Sequence, residues 1–390
     1  MLATCAVLAA TLFIGPAAAQ SGLGSGNIEG TVSDSSGGAV ADAKITVRSD
    51  ATGVSAERMS DASGHFLFVY LTPGNYNVSV EKDGFKTTLV DNAVVAVGTT
   101  LTLRPELAVG STDMKVTVTA DLPLVDTTQS SNSSVVGRGA IENLPLNGRD
   151  FTDFVLLTPG ATTDGDSMVS FNGISGNFNN YEVDGGNNNN AFFSQAMGRG
   201  TIPFQFSEDI VQEFQVNTTG YEAEFGQAGG GLVNTVTRSG TNQFHGDAYY
   251  YILDSAMNAN DSIDNQLGLG KPPNRRQQFG GTVGGPIKKD KLFYLANYEG
   301  QIRNEPVTVN DSFALQTLGT PQDQANFLAA NPTIAQQLAQ SSGSFPRSFN
   351  QNTAFFKLSG QLTPKNAFNA SYNFQRFVSP HGYFLSLIHI

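Results

Sequence analysis

Residues 209–240 read DIVQEFQVNTTGYEAEFGQAGGGLVNTVTRSG, and the rest of the chain is arranged around them. Residues 210–216 alternate in polarity and read as a strand. A loop with Tyr221, Glu224, Phe225 and Gly226 follows. Then come Gly229, Gly230 and Gly231, and a second strand over 232–237. Three glycines in a row remove Cβ atoms where the backbone turns tightly or lies close to another surface. From the residues alone this is two β-segments around a constrained loop. A hairpin in an ordinary globular domain satisfies the same pattern.

The stretch resembles the end of the plug domain of TonB-dependent outer-membrane receptors. There a segment of the form I-E-x-I-E-V leads to Y-G-x-x-x-x-G-G-x-I-N-I-x-T-K. The matching residues are Val211, Glu213, Phe214 and Val216, then Phe225, Gly226, Gly229, Gly230, Gly231, Val233, Asn234, Val236, Thr237 and Arg238. The wording YEAEFG at 221–226 and RSGTN at 238–242 is nearer still to the Oar-like type of these receptors. The resemblance implies a signal sequence, a plug and a transmembrane β-barrel.

Composition is compatible with that outline. The 390 residues suffice for two or three domains. There are 22 Lys and Arg against 34 Asp and Glu, a net charge of −12. An acidic chain with no basic block argues against nucleic-acid binding. Charged residues are few while Gly, Asn, Ser, Thr and Gln are plentiful, which suits β-structure with long loops. The one cysteine, Cys5, falls in a segment expected to be removed, so no disulfide is expected. Its place ahead of most of the apolar run argues against a lipoprotein site.

Residues 1–19 read as a secretory signal, with an apolar stretch over 2–14 and small residues Ala17, Ala18 and Ala19 before the cut. The usual positive start is missing, which a beginning further upstream would explain. The apolar run falls short of the roughly 20 residues a membrane helix needs. If the chain enters a membrane, it does so as a barrel, because only helices and closed barrels satisfy backbone polar groups in lipid.

Residues 26–109 hold short alternating strands separated by turn residues, the pattern of a small β-sandwich. Gly30, Val32, Asp34, Gly37, Val40 and Ala43, with DASGHF at 61–66, LTPGNY at 71–76 and Gly84-Phe85, resemble the carboxypeptidase-regulatory-like domain, a transthyretin-like sandwich. No zinc-ligand spacing is present. His65 reads as a polar strand residue, and the resemblance implies a binding or spacer module.

Residues 110–120 form a linker containing a short alternating strand. It is either a last sandwich strand or, as the resemblance implies, a TonB box at Lys115, Val116, Thr117, Val118 and Thr119, which would bind TonB by strand addition. Residues 121–240 would be the plug. Within it lie LPLNGR at 144–149, an expected short apolar helix at 151–157, and Asp184-Gly185, which resemble the central D-G strand of plugs. The resemblance assigns structural or gating roles to Asp184, Gly185, Glu213, Phe225, Gly226, Gly230 and Asn234. The loops with Asp164, Asp166 and residues 187–190 carry an incomplete calcium-ligand pattern and read as solvated. No cofactor is expected.

From residue 241 the pattern changes to segments of about ten residues, apolar on one side and uncharged polar on the other. At 353–362 one face is Ala354, Phe356, Leu358, Gly360 and Leu362, and the other is Thr353, Phe355, Lys357, Ser359 and Gln361. At 366–377 Phe368, Ala370, Tyr372 and Phe374 oppose Asn369, Ser371, Asn373 and Gln375. A soluble antiparallel sheet alternates likewise, but aromatics near strand ends and tight turns favour a barrel facing outer-membrane lipid. Residues 284–291 and 362–366 read as short periplasmic turns. Residues 255–275 and 303–351 read as long extracellular loops, the second with a helix at 325–340. About five strands fit in 241–384, fewer than the roughly 22 of a plugged transporter barrel. The alternation fails at 385–390, a candidate foreign tail, and the chain reads as truncated.

The fold expected is therefore mainly β: a transthyretin-like β-sandwich, an α+β plug and the first strands of a transmembrane antiparallel β-barrel. Two functions fit it. One is energised uptake of an unidentified extracellular ligand. The other is a surface structural or adhesion role, with the barrel as anchor. Four histidines, His65, His245, His381 and His389, form no catalytic or metal-binding constellation, so no enzyme is expected.

Overall fold

In the computed structural model the described residues are 24–110, 115–119, 131–144, 149–163, 168–190, 206–221, 225–260, 262, 265, 270–271, 273–309, 319–341, 343–345, 347–363 and 366–379. The expected leader at 1–19, the loop with Asp164 and Asp166, and the tail at 385–390 lie outside them.

The first unit is a sandwich. Its strands are β1 (Gly26–Thr31), β2 (Ser33–Asp34), β3 (Lys44–Ser49), β4 (Ser55–Met59), β5 (His65–Leu71), β6 (Gly74–Glu81), β7 (Thr87–Val95), β8 (Thr100–Leu103), β9 (Glu106–Leu107) and β10 (Lys115–Thr119). One sheet has the order β5-β1-β8 and the other β10-β7-β6-β3-β4. Alternate residues Ile28, Ile45, Val47, Phe66, Phe68, Val78 and Val80 point between the sheets and are buried. Each such side chain contributes about 1.5–3 kcal/mol relative to exposure. Gly30 is glycine for contact reasons. A Cβ there would sit 2.3 Å from the Leu103 carbonyl oxygen and 2.6 Å from the Phe66 ring. The two aspartate turns form as their sequences suggest. Asp34 accepts from the amides of Ser36 and Gly38, and Asp61 from those of Ser63 and His65.

The central unit comprises β11 (Asn132–Gly137), the helix Arg138–Asn143, β12 (Ala161–Thr163), β13 (Val169–Phe171), β14 (Asn180–Val183), β15 (Gly186–Asn187), β16 (Val211–Thr219) and β17 (Leu232–Thr237). Its main sheet runs β11-β16-β17-β14-β15, with β16 and β17 antiparallel and β14 parallel to β17. Phe151, Phe154, Phe171, Phe214 and Val233 form its core. The expected apolar helix at 151–157 is a 3-10 segment instead, with the Asp150 side chain accepting from the Thr152 amide. Two glycines of the triple, Gly230 and Gly231, lie where a Cβ would not fit. A Cβ on Gly231 would fall 2.3 Å from the Phe171 ring.

The third unit is a five-stranded antiparallel sheet of long strands: β18 (His245–Asp254), β19 (Arg275–Lys288), β20 (Leu292–Asn304), β23 (Ser348–Thr363) and β24 (Asn366–Val378), in the order β18-β19-β20-β23-β24. Between β20 and β23 lie a small ribbon of β21 (Val307–Val309) and β22 (Gly343–Phe345) and two helices. The helix expected at 325–340 is split into Pro321–Ala330 and Pro332–Ser341, because Pro332 has no amide to continue the first. The turn expected at 284–291 is also shorter. β19 continues to Lys288 through Pro286. Proline is tolerated there because β18 begins at His245, opposite Gly284, so no β18 partner faces Pro286.

Candidate functional site

The five long strands carry polar residues on their buried face. Gln278, Thr282, Asn297, Glu299, Gln301, Gln351, Thr353 and Lys357 are all buried, while Phe356, Tyr298, Tyr372 and Phe374 on the opposite face are exposed. A soluble sheet packed on a core has the reverse arrangement. Here the central unit lies against the polar face, and the apolar face is left outward.

Two clusters hold the central unit to this wall. In the first, Asp184 sits in the two-residue turn between β14 and β15, with Asp184 and Gly185 both at positive φ (50° and 78°). That geometry belongs to an Asp-Gly hairpin turn. The Asp184 carboxylate accepts from the Thr237 amide at 2.9 Å and the Thr237 hydroxyl at 2.5 Å. It also pairs with Lys357 Nζ at 3.1 Å. Lys357 reaches from β23 and donates further to the Thr237 hydroxyl and carbonyl oxygens.

The second cluster centres on Arg149 and Glu299. Arg149 pairs with Asp209 at 2.7 Å and approaches Glu208 at 3.8 Å. Its guanidinium lies 4.3 Å from the ring centroid of Tyr249 and 4.8 Å from that of Tyr251, both on β18. Glu299 on β20 accepts from Ser207 at 2.6 Å, Tyr249 at 2.5 Å, Gln278 at 2.7 Å and Gln301 at 3.0 Å. Burial works against the Arg149 charge, but Asp209 and Glu208 outweigh it and hold the group above its ordinary value. Burial likewise pushes the Glu208 carboxyl up to about 7 despite Arg149. Arg138 and Arg238 donate to the carbonyl oxygens of Asp209 and, for Arg138, Val211.

The sandwich is held close to the Asp184 cluster, since Glu213 pairs with Val236, beside Thr237. The Val97 amide donates to the buried Glu213 carboxylate on β16. Asn242, between β17 and β18, donates to the carbonyl oxygens of Ala51 and Thr52 and to Asp290 in the turn after β19. Asp290 returns its amide to Asn242 at 2.8 Å.

The residues expected to matter do not converge on one site. Asp184 and Gly185 meet Lys357 at the wall. Glu213 faces the sandwich. At the far end of β14 the Gly226 carbonyl accepts from Asn180, and a Cβ on Gly230 would fall 2.3 Å from Asn179 Oδ1. Phe225 is half-buried nearby, and Asn234 is buried within β17. Lys115–Thr119 form β10, paired in parallel with Thr87–Asp91 of β7. Sequence reading did not assign roles to Arg149, Glu299 or Tyr249. Their one visible signal is a charge or phenol on the inner face of an alternating strand, or in a loop of the central unit. Among the described residues no group of three or more His, Cys, Asp or Glu is placed to hold a metal ion. No described helix is long and apolar enough to cross a membrane.

Comparison with known proteins decides what this assembly is. Residues 236–371 match the family described as outer membrane beta barrel domain, and residues 27–108 match the carboxypeptidase regulatory-like domain. The chain is 32% identical over 306 residues to the TonB-dependent transporter Oar of Myxococcus xanthus. This chain belongs to the TonB-dependent outer-membrane receptor family. The match covers 75% of this chain and 28% of the Myxococcus protein's length. Among solved structures the receptor resembles the siderophore receptor PirA of Acinetobacter baumannii (16% identity, TM-score 0.44, 65% of this chain and 33% of that one). It also resembles the outer membrane transporter YddB of Escherichia coli (13% identity, TM-score 0.44, 62% of this chain and 32% of that one). Those likenesses are slight, and the assignment rests on the domain matches and the Myxococcus relative. The barrel-domain match and the Myxococcus relative place the receptor in the outer membrane.

Proposed function

We propose that this receptor binds an extracellular ligand and imports it through a barrel plugged by residues 121–240, using energy relayed by TonB. TonB engages Lys115–Thr119 by strand addition, and the plug is then remodelled to open a path. The receptor does no chemistry on its ligand. The observation that carries this reading is the seam between plug and wall. Among the described residues that seam has one small apolar contact, Ile210, Leu295 and Phe355 with Phe206, and the stacking of Arg149 on Tyr249 and Tyr251. Its other described contacts are mainly ion pairs and amide or hydroxyl hydrogen bonds. Such contacts exchange for water at a net cost of about 0.5–1.5 kcal/mol each where both partners are neutral and about 1.5–3 kcal/mol where one is charged. A seam of that kind seats a plug without fixing it permanently, whereas an apolar seam would weld it.

The position of the sandwich supports uptake over adhesion. It contacts Asn242 and Asp290, at the end of the wall where β19 and β20 are joined by a short turn. Short turns face the periplasm in such barrels and long loops face outward. A module on the periplasmic side is badly placed to grip another cell. Substituting Val118→Pro in the membrane-embedded receptor should abolish energised uptake while surface binding of the ligand persists. Uptake that continues unchanged would refute the role of Lys115–Thr119.

A further inference from the structure

The strand assigned above to TonB is already part of a sheet. β10 pairs with β7 in parallel over five residues, from Lys115 opposite Thr87 to Thr119 opposite Asp91. It is the outermost strand, and no described strand pairs with its other side. A strand presents its amides and carbonyls alternately to its two sides, so pairing with β7 occupies one side and leaves the other free.

The geometry points to the sandwich as a component of the TonB complex: the partner's strand adds to the free outer edge of β10 while β10 stays on β7, so that the sheet grows to six strands. This rests on Lys115–Thr119 being the TonB-engaging segment. The physical reason is preorganisation. A partner that binds a loose segment must order its backbone at the moment of binding, and that cost subtracts from affinity. A partner that pulls β10 off β7 must first break a formed ladder. A partner that adds to the outer edge meets a strand already extended and in register, and breaks nothing. Lys115 is the one charged residue in the strand, so most of the recognition falls to the backbone.

The consequence is mechanical. Force applied to β10 acts on the whole sandwich. The first contacts to yield are then those seating the sandwich on the rest of the molecule, Val97 on Glu213 and Ala51 and Thr52 on Asn242. The sandwich is a handle by which the plug is moved, rather than a spacer bypassed by the pull.

A disulfide lock tests this directly, because Cys5 is the sequence's only cysteine and lies in the expected leader. Leu89 and Thr117 are opposite one another in the β7–β10 ladder, and Ser79 and Leu89 in the β6–β7 ladder. The membrane-embedded receptor is prepared as Leu89→Cys/Thr117→Cys, and as Ser79→Cys/Leu89→Cys for a control. Binding of the purified periplasmic domain of TonB is measured oxidised and reduced. Edge addition predicts that the oxidised β7–β10 lock binds as tightly as its reduced form and as the control. A loss of about tenfold or more on oxidation of that lock alone means that TonB takes the strand away from β7. That result overturns the proposal and leaves the TonB-engaging role of the segment standing. If Val118→Pro binds the TonB domain as well as the native receptor, both fall together.

Discussion

Glu213 is a carboxylate where the family resemblance suggested only a motif position, and its surroundings give it a titratable role. It is buried on β16 and takes the Val97 amide of the sandwich. Burial raises its carboxyl from 4.5, the Val97 hydrogen bond offsets only part of that rise, and the group is left pushed up to about 7. With the sandwich undocked and the group hydrated, the ordinary value returns. The docked state therefore holds an extra proton between those two values. Docking is strongest below about 4.5 and weakens as the pH rises through about 7. Fluorescence transfer between a label on the sandwich and one beside Asp290 should show tighter docking at acid pH. Glu213→Gln keeps an acceptor for Val97 and has no charge to bury, so its docking should be flat across that range. If the native protein is equally flat, Glu213 is not what couples docking to pH. Lys357 differs in kind: it is an inward cation whose partner, Asp184, lies 173 residues away in sequence.

At the scale of the element, the long strands were readable and their partners were not. The alternation of Ala354, Phe356 and Leu358 against Thr353, Phe355 and Lys357 already separates the two faces of β23. The structure places the second set toward the central unit. Sandwich strands and aspartate turns were legible for the same reason, since each depends on residues within a few positions. Strand limits set by absent neighbours were not legible. Pro286 reads as a turn residue, and only the start of β18 at His245 shows why a strand runs through it. The Arg149 and Glu299 cluster was hidden because it joins loops and strands that are remote in sequence. Position alone left Lys115–Thr119 as either sandwich strand or TonB box, and the β7 pairing places it as a sandwich strand. The face assignment is testable. Phe356→Arg puts a charge on the lipid side near mid-strand and should cost about 2–4 kcal/mol in denaturant-driven folding of the complete receptor into vesicles. Ser371→Arg, on the opposite face of β24, should cost much less. Equal costs would mean that the sheet does not face lipid.

Across the whole molecule the same contacts recur in a fixed order. The polar wall holds the central unit through Lys357 and Glu299, and the central unit and Asn242, bonded to Asp290, hold the sandwich. The wall itself is the part that is not self-sufficient. β18 and β24 are the outermost strands of their sheet among the described residues, and each has one unpaired edge. In water such an edge is solvated. In lipid every unpaired amide and carbonyl costs several kcal/mol, which is why membrane sheets close on themselves. β18 has ten residues and β24 thirteen, and about half of them turn their backbone groups to those edges, so the cost of leaving them unpaired in lipid runs to tens of kcal/mol. Insertion therefore requires further strands to join the two edges. A polypeptide confined to residues 1–390, expressed with an export signal, should remain extractable by urea, sensitive to protease and unchanged in gel mobility on heating. A heat-modifiable, protease-resistant form in outer membranes would mean that the two edges find partners, by closure with other copies or with another chain.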